Sequence, residues 1–239
     1  MRYRYIILLF CLCISVPGFA QELSTVSRKL TNNISETYHV LASDGITRQG
    51  IYQALYKKKT AIASGSYLGS KRVGIWHFYD NNGTVVQSFN FDKQLLLYEA
   101  PEDTTSNLHY FIDRTLDTAK TAVQKITKPV RIGGRYYGYV PYVALFRMPK
   151  RISESDFDYS NMKAVVELLV SPGGRLADYT VHLIYVPTAY AVDDITMNLK
   201  LPNPDDLVFV PATFNGEPIA CRVMIECIIN KNGTLDFAR

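Results

Sequence analysis

The sequence has little of what usually announces chemistry. Cysteine is scarce: four in 239 residues, two of them (Cys11 and Cys13) inside the first twenty. No Cys-x-x-Cys occurs, and neither does Gly-x-Ser-x-Gly or Gly-x-x-x-x-Gly-Lys, which removes the common signals for zinc binding, acyl transfer and phosphate cradling. Gly133-Gly134 lacks both the third glycine and the preceding strand of a nucleotide loop. The four histidines, His39, His77, His109 and His182, fall in different segments, none with a metal-ligand neighbour at helical or hairpin spacing. His77 and His182 sit in predicted strands and are expected on a partly exposed face. Asp193-Asp194 and Asp205-Asp206 are adjacent carboxylates, which alternate faces or cap helices and make poor calcium sites. No catalytic, cofactor-binding or metal-ligating residue is predicted, and no enzyme. Binding residues are left unassigned. Long apolar runs beyond the first, Pro-rich or Gly/Ser-rich linkers and charge blocks are also missing.

The one long apolar run is at the start. Arg2 and Arg4 precede Tyr5 to Val16, Pro17 and Gly18 break the run, and Gly18-Phe19-Ala20 puts small residues at −3 and −1 before Gln21. This three-part pattern predicts a secretory signal over residues 1–20. The run is short of the roughly 20 residues that a membrane span needs. An uncleaved inner-membrane anchor is the alternative. A lipoprotein signal is disfavoured by bulky Phe10 and Leu12 before Cys11 and Cys13. Cleavage leaves 24 basic against 22 acidic residues, net +2, too mild to argue for nucleic acid or an anionic membrane. It also leaves only Cys221 and Cys227. On one extended strand these would stand roughly 20 Å apart, beyond the ~7 Å of a disulfide, so two buried free thiols are expected.

Residues 21–37 are polar with weak helical character. Residues 38–99 are rich in Gly and aromatics and repeat themselves: Arg48-Gln-Gly50-Ile-Tyr52 recurs as Arg72-Val-Gly74-Ile-Trp76. Such a period reads as a stacked unit. Asp80-Asn81-Asn82-Gly83 is a hairpin turn signal. Gly65-x-Tyr67-x-Gly69-x-Lys71-Arg72-x-Gly74-x-Trp76-x-x-Tyr79-Asp80-x-x-Gly83 resembles the bacterial MORN-type repeats of the YwqK antitoxin-like family. The resemblance implies β-hairpins whose aromatics, Tyr52, Tyr67 and Trp76, pack hairpin on hairpin.

Residues 100–128 read as a connector, with a helix over Asp113 to Ile126 or, as the alternative, an irregular crossing. Residues 129–239 read as a second unit. Tyr136 to Phe146 is partly helical and interrupted by Pro141. Lys163 to Val170 is a strand, Ser171-Pro172-Gly173-Gly174 a turn, Arg175 to Tyr185 a second strand, and Ala191 to Leu199 a short helix with Asp193 and Asp194 in its first turn. Cys221 to Asn230 alternates strictly, with Cys221, Val223, Ile225, Cys227 and Ile229 on one face, as a half-buried antiparallel strand does. Strand, turn, strand, helix, strand, together with Phe209-Val210-Pro211-Ala212-Thr213-Phe214-Asn215-Gly216-Glu217-Pro218, resembles the TonB C-terminal domain of Bacteroidetes type. Phe209 stands where that family usually has Trp, and Leu199 to Asp206 looks inserted. The fold class expected is therefore α+β: antiparallel hairpin repeats, then a domain with an antiparallel three-stranded sheet and one or two helices.

The TonB-like resemblance implies a non-enzymatic, periplasmic or outer-envelope protein that captures an extended peptide, such as a segment of an outer-membrane receptor, by β-strand addition. Cys221 to Asn230 and the segment after it are the candidate edges. Energy transduction through an uncleaved anchor is one alternative. Immunity or antitoxin activity through the MORN-like half is another. No cofactor is implied.

Overall fold

The computed structural model describes residues 21–101, 107–113, 124–153 and 159–238. The signal predicted over residues 1–20 lies outside them, as do residues 114–123 of the expected connector helix.

Seven strands follow one another as an antiparallel meander in chain order: β1 (Leu23–Lys29), β2 (Ile34–Leu41), β3 (Arg48–Tyr56), β4 (Thr60–Leu68), β5 (Lys71–Tyr79), β6 (Val85–Asn90) and β7 (Leu95–Glu99). The polar segment expected to have helical character is the hairpin β1–β2. Its Ser/Thr/Val spelling suits a pleated surface, and cross-strand pairs fix it: Arg28 faces Glu36 at 2.7 Å and Ser27 bonds Thr37 at 3.1 Å. The 24-residue repeat has a structural meaning. Gly50 and Gly74 both take positive φ, 84° and 67°, next to register shifts in their ladders. Each repeat thus carries a bulge that only a residue without Cβ forms easily. Beyond the bulge, Tyr52 and Trp76 turn to one face, fully buried, with ring centroids 5.1 Å apart.

The second sheet has six strands. Along it run β12 (Tyr190–Thr196), β11 (Leu176–Tyr185), β10 (Met162–Val170), β15 (Cys221–Ile229) and β16 (Leu235–Phe237), while β8 (Leu108–Ile112) pairs with the first half of β15. A three-stranded sheet joins β9 (Ile126–Thr127), β13 (Ala212–Phe214) and β14 (Glu217–Ile219). Among the described residues the α-helices are α1 (Val140–Leu145) and α2 (Lys150–Ser153), six and four residues long.

The α+β expectation is therefore wrong: of the described residues 55% are strand and 10% helix. The C-terminal sheet has six strands rather than three. Two particulars explain this. The segment expected as a helix over Ala191 to Leu199 is strand β12. Asp194 stands opposite His182 and Asp193 opposite Leu183, so pairing along β11 overrides the weak helical preference of a stretch holding Val192, Ile195 and Thr196. The supposed connector supplies β8 and β9, which find partners about a hundred residues away. Pro141 does not interrupt a helix. It lies in the first turn of α1, where no backbone donor is missed.

The strands Lys163 to Val170, Arg175 to Tyr185 and Cys221 to Asn230 appear close to their predicted bounds. Alternation sends Ala164, Val166 and Leu168 of β10, and Val223, Ile225 and Cys227 of β15, onto the same core as Tyr142, Val143 and Phe146 from α1 and its exit. The opposite face carries Glu167, His182 and Arg222.

The meander packs its aromatic face against residues 131–144. Tyr137 stacks on Phe78 at 5.7 Å, and Val140 joins the cluster of Tyr52, Trp76 and Phe78. Buried Gln87 of β6 stitches the two together. Its Oε1 accepts from the backbone N–H of Gly133 at 2.7 Å and of Gly134 at 3.0 Å, and its Nε2 donates to the Arg131 carbonyl at 3.0 Å. Gln87→Leu fills the same space without the acceptor. It is expected to cost on the order of 2 kcal/mol, measurable as a lower urea midpoint with unchanged slope.

Candidate functional site

The expected peptide-binding edge is not an edge. β15 has β10 on one side. On the other, Ile112 to Leu108 cover Cys221 to Ile225, and Phe237 to Leu235 cover Cys227 to Ile229. Strand capture at Cys221 to Asn230 therefore loses its support, and the segment after it supplies part of the cover. Both thiols are free and buried, as predicted. Burial pushes the Cys221 thiol up to about 11 and the Cys227 thiol further, with Asp236 and Glu226 adding to the second, so neither is a nucleophile.

The open edge of this sheet lies at its other end. Among the described residues β12 pairs only with β11. The Met197 N–H donates to the Tyr179 carbonyl at 2.8 Å. Two-residue alternation then turns the N–H groups of Ile195 and Asp193 toward β11 and those of Thr196 and Asp194 outward. Tyr190 at the start of the strand is 70% exposed. Asp194 bonds His182 Nδ1 at 2.7 Å yet keeps most of its side chain in water, and Asp193 pairs with Arg151 at 2.5 Å. β12 itself carries a bulge at Val192, between the pairs Asp193–Leu183 and Ala191–Ile184. Charge and a bulge discourage pairing with another copy of the same edge and leave room for a chosen partner.

A second feature is a cleft of about 900 Å³ between the meander and the chain that covers it. Its floor comes from the repeats. Arg48 lies over the Tyr38 ring at 4.2 Å, donates to the Tyr67 hydroxyl at 3.1 Å and faces Glu36 at 3.5 Å. Glu36 is buried and also takes Arg28 and the Tyr52 hydroxyl, the latter at 2.8 Å. Tyr137 donates to the Tyr52 oxygen at 2.9 Å. Burial holds the Tyr52 phenol well above its ordinary range and pushes Tyr137 up to about 12, so both are neutral donors. Arg72 lies over Trp76 at 5.1 Å and over Phe91 at 5.3 Å.

The wall opposite holds a buried ion pair. Arg131 Nη2 meets Asp206 Oδ1 at 2.5 Å, and Arg131 Nη1 donates to the carbonyls of Asp205 and Val208 at 2.8 and 3.0 Å. Burial raises the Asp206 carboxyl against the pull of Arg131. The Asn203 side chain caps the short 3-10 turn Pro204–Leu207 through the Asp205 N–H. Asp205 and Asp206 thus lie in the first turn of a 3-10 helix capped by Asn203, and Asp206 is an ion-pair partner. Among the described residues, no group of three or more His, Cys, Asp or Glu side chains could hold a metal ion. His39, His77, His109 and His182 lie on four strands, β2, β5, β8 and β11. His77 bonds Ser88 at 2.9 Å, and His182 reaches Glu167 at 3.2 Å as well as Asp194.

Sequence reasoning passed over Gln87, Arg131 and Glu36, and read Asp206 as a helix-capping carboxylate and poor calcium ligand rather than an ion-pair partner. The recurring arginine of the repeat, Arg48 and Arg72, was the available signal, because both copies open onto the cleft. Comparison of the chain with protein-family models, curated proteins and solved structures gives no match.

Proposed function

We propose that the mature chain is an exported, non-enzymatic protein of the cell envelope that binds an extended segment of a partner protein by adding it to β12. The observation that carries this reading is the row of outward N–H groups at Asp194 and Thr196 on a seven-residue strand with one neighbour among the described residues. The C-terminal sheet is the one to which the TonB-like resemblance assigns peptide capture, and its other border is split between shorter strands of five and three residues. An added strand gains main-chain hydrogen bonds along β12, and side-chain contacts select it. The exposed carboxylate of Asp194 favours a basic residue opposite it, and Tyr190 offers an apolar contact.

Thr196→Pro tests this. Proline removes an outward donor and leaves the ladder to β11 intact, a placement that edge strands tolerate. The variant keeps the melting temperature of the parent within a few degrees. Used as bait in an envelope extract, it loses the partner that the parent retains. Equal retention by the two proteins contradicts the reading.

A further inference from the structure

The geometry points to a separate ligand site in the cleft, built for a small amphiphilic anion: a carboxylate or phosphate carried on an apolar body, with Arg72 as its main cation. The charges of the cleft do not balance. Arg28 and Arg48 share Glu36, and Arg131 is matched by Asp206. Among the described residues Arg72 forms no ion pair of its own, although Asp206, already matched by Arg131, also feels its charge. Its guanidinium rests on the faces of Trp76 and Phe91 near the hydroxyls of Tyr137 and Tyr67. A stacked guanidinium that spends one N–H on the Tyr67 hydroxyl keeps its other in-plane N–H groups for an oxyanion.

The opposite wall supplies the second, independent observation. Arg131 is 94% buried, and its Nε has no partner. Its positive charge adds to the attraction of this wall for an anion. The remaining wall is apolar, from Ile132, Val140, Pro141, Ala144 and Leu145. Cation at one end and hydrocarbon along the side match an amphiphile, and the volume is that of a small-molecule site. The overall charge of the chain is too small for a polyanion.

Trp76 is the single tryptophan of the chain and touches the Arg72 guanidinium, so it reports the site. Octyl phosphate and octanoate are titrated against the mature protein, with octanol and inorganic phosphate as controls, by Trp76 fluorescence and by calorimetry. The two octyl anions are expected to saturate one site, octanol to leave the signal unchanged, and inorganic phosphate to bind at least about 10-fold more weakly than octyl phosphate because no apolar area is buried. Arg72→Gln is expected to weaken binding by about 10-fold or more. Leu145→Glu places a carboxylate on the cleft rim without touching the aromatic core and weakens binding as well. A comparison of octanoate with octyl phosphate shows which oxyanion the site prefers. Absence of saturable anion binding overturns the proposal. So does octanol binding as tightly as octanoate, or octyl phosphate affinity unaltered in both Arg72→Gln and Leu145→Glu.

Discussion

Trp76→Ala is expected to remove about 3–5 kcal/mol of unfolding free energy, a large part of the roughly 5–15 kcal/mol that holds a typical domain together. The indole is fully buried. It lies 5.2 Å from Tyr67 edge to face, 5.6 Å from Phe91 and 6.2 Å from Phe78, in addition to Tyr52, and its Nε1 donates to the Ser66 carbonyl at 3.2 Å. Its underside rests on Gly65, where a Cβ would stand 2.2 Å from the ring. Gly65→Ala therefore forces the ring to move and is expected to cost about 1–3 kcal/mol. Ile51 lies on the outer face of the same sheet and is 66% exposed. Its replacement by alanine should stay within about 0.5 kcal/mol. Urea unfolding of the three variants measures this ranking directly.

Arg131→Met is expected to cost about 3–5 kcal/mol near neutral pH, because it strands the Asp206 carboxylate in the interior. The loss depends on pH with a definite sign. Burial already raises the Asp206 carboxyl, and Arg131 opposes the rise. Without Arg131 the folded-state value rises further above the unfolded one, so the folded variant binds more protons than the unfolded chain between those two values. Stability of the variant then falls as pH increases through that window and recovers toward acid, where Asp206 is neutral in both states. The double variant Arg131→Met/Asp206→Leu removes the stranded charge and should regain most of the loss. Unfolding curves at acid and neutral pH check both statements. An Arg131→Met deficit that is the same at both pH values would show that packing over Phe209, 5.6 Å from the guanidinium, rather than charge, is what the variant loses.

Local spelling told most about local structure. The alternation in Cys221 to Asn230 and the Asn-Gly and Pro-Gly-Gly turns placed strands nearly where they are, and the Arg-x-Gly-x-aromatic repeat marked the positions of the two bulges. What the sequence did not disclose was pairing over long distances. Nothing in Leu108 to Ile112 says that it will lie beside Cys221 to Ile225, and that pairing decides whether β15 is an edge. The helix expected over Ala191 to Leu199 failed for the same reason: propensity is weak, and an unpaired β11 backbone is a stronger demand. The cleft was hidden for another. Glu36 and Arg48 come from neighbouring strands, whereas Arg131 and Asp206 are 75 residues apart. The charge balance of the site exists only once the meander has folded onto residues 131–144.

Strand addition at β12 is the central claim, and amide hydrogen exchange tests it most directly. The chain from Gln21 onward is measured alone and in the complex captured from an envelope extract. The account predicts that the outward amides of Asp194 and Thr196 exchange quickly in the free protein and become protected in the complex, while Ile195, already bonded to β11, changes little. Unchanged exchange at Asp194 and Thr196, with protection confined to β1 or β7, would contradict it.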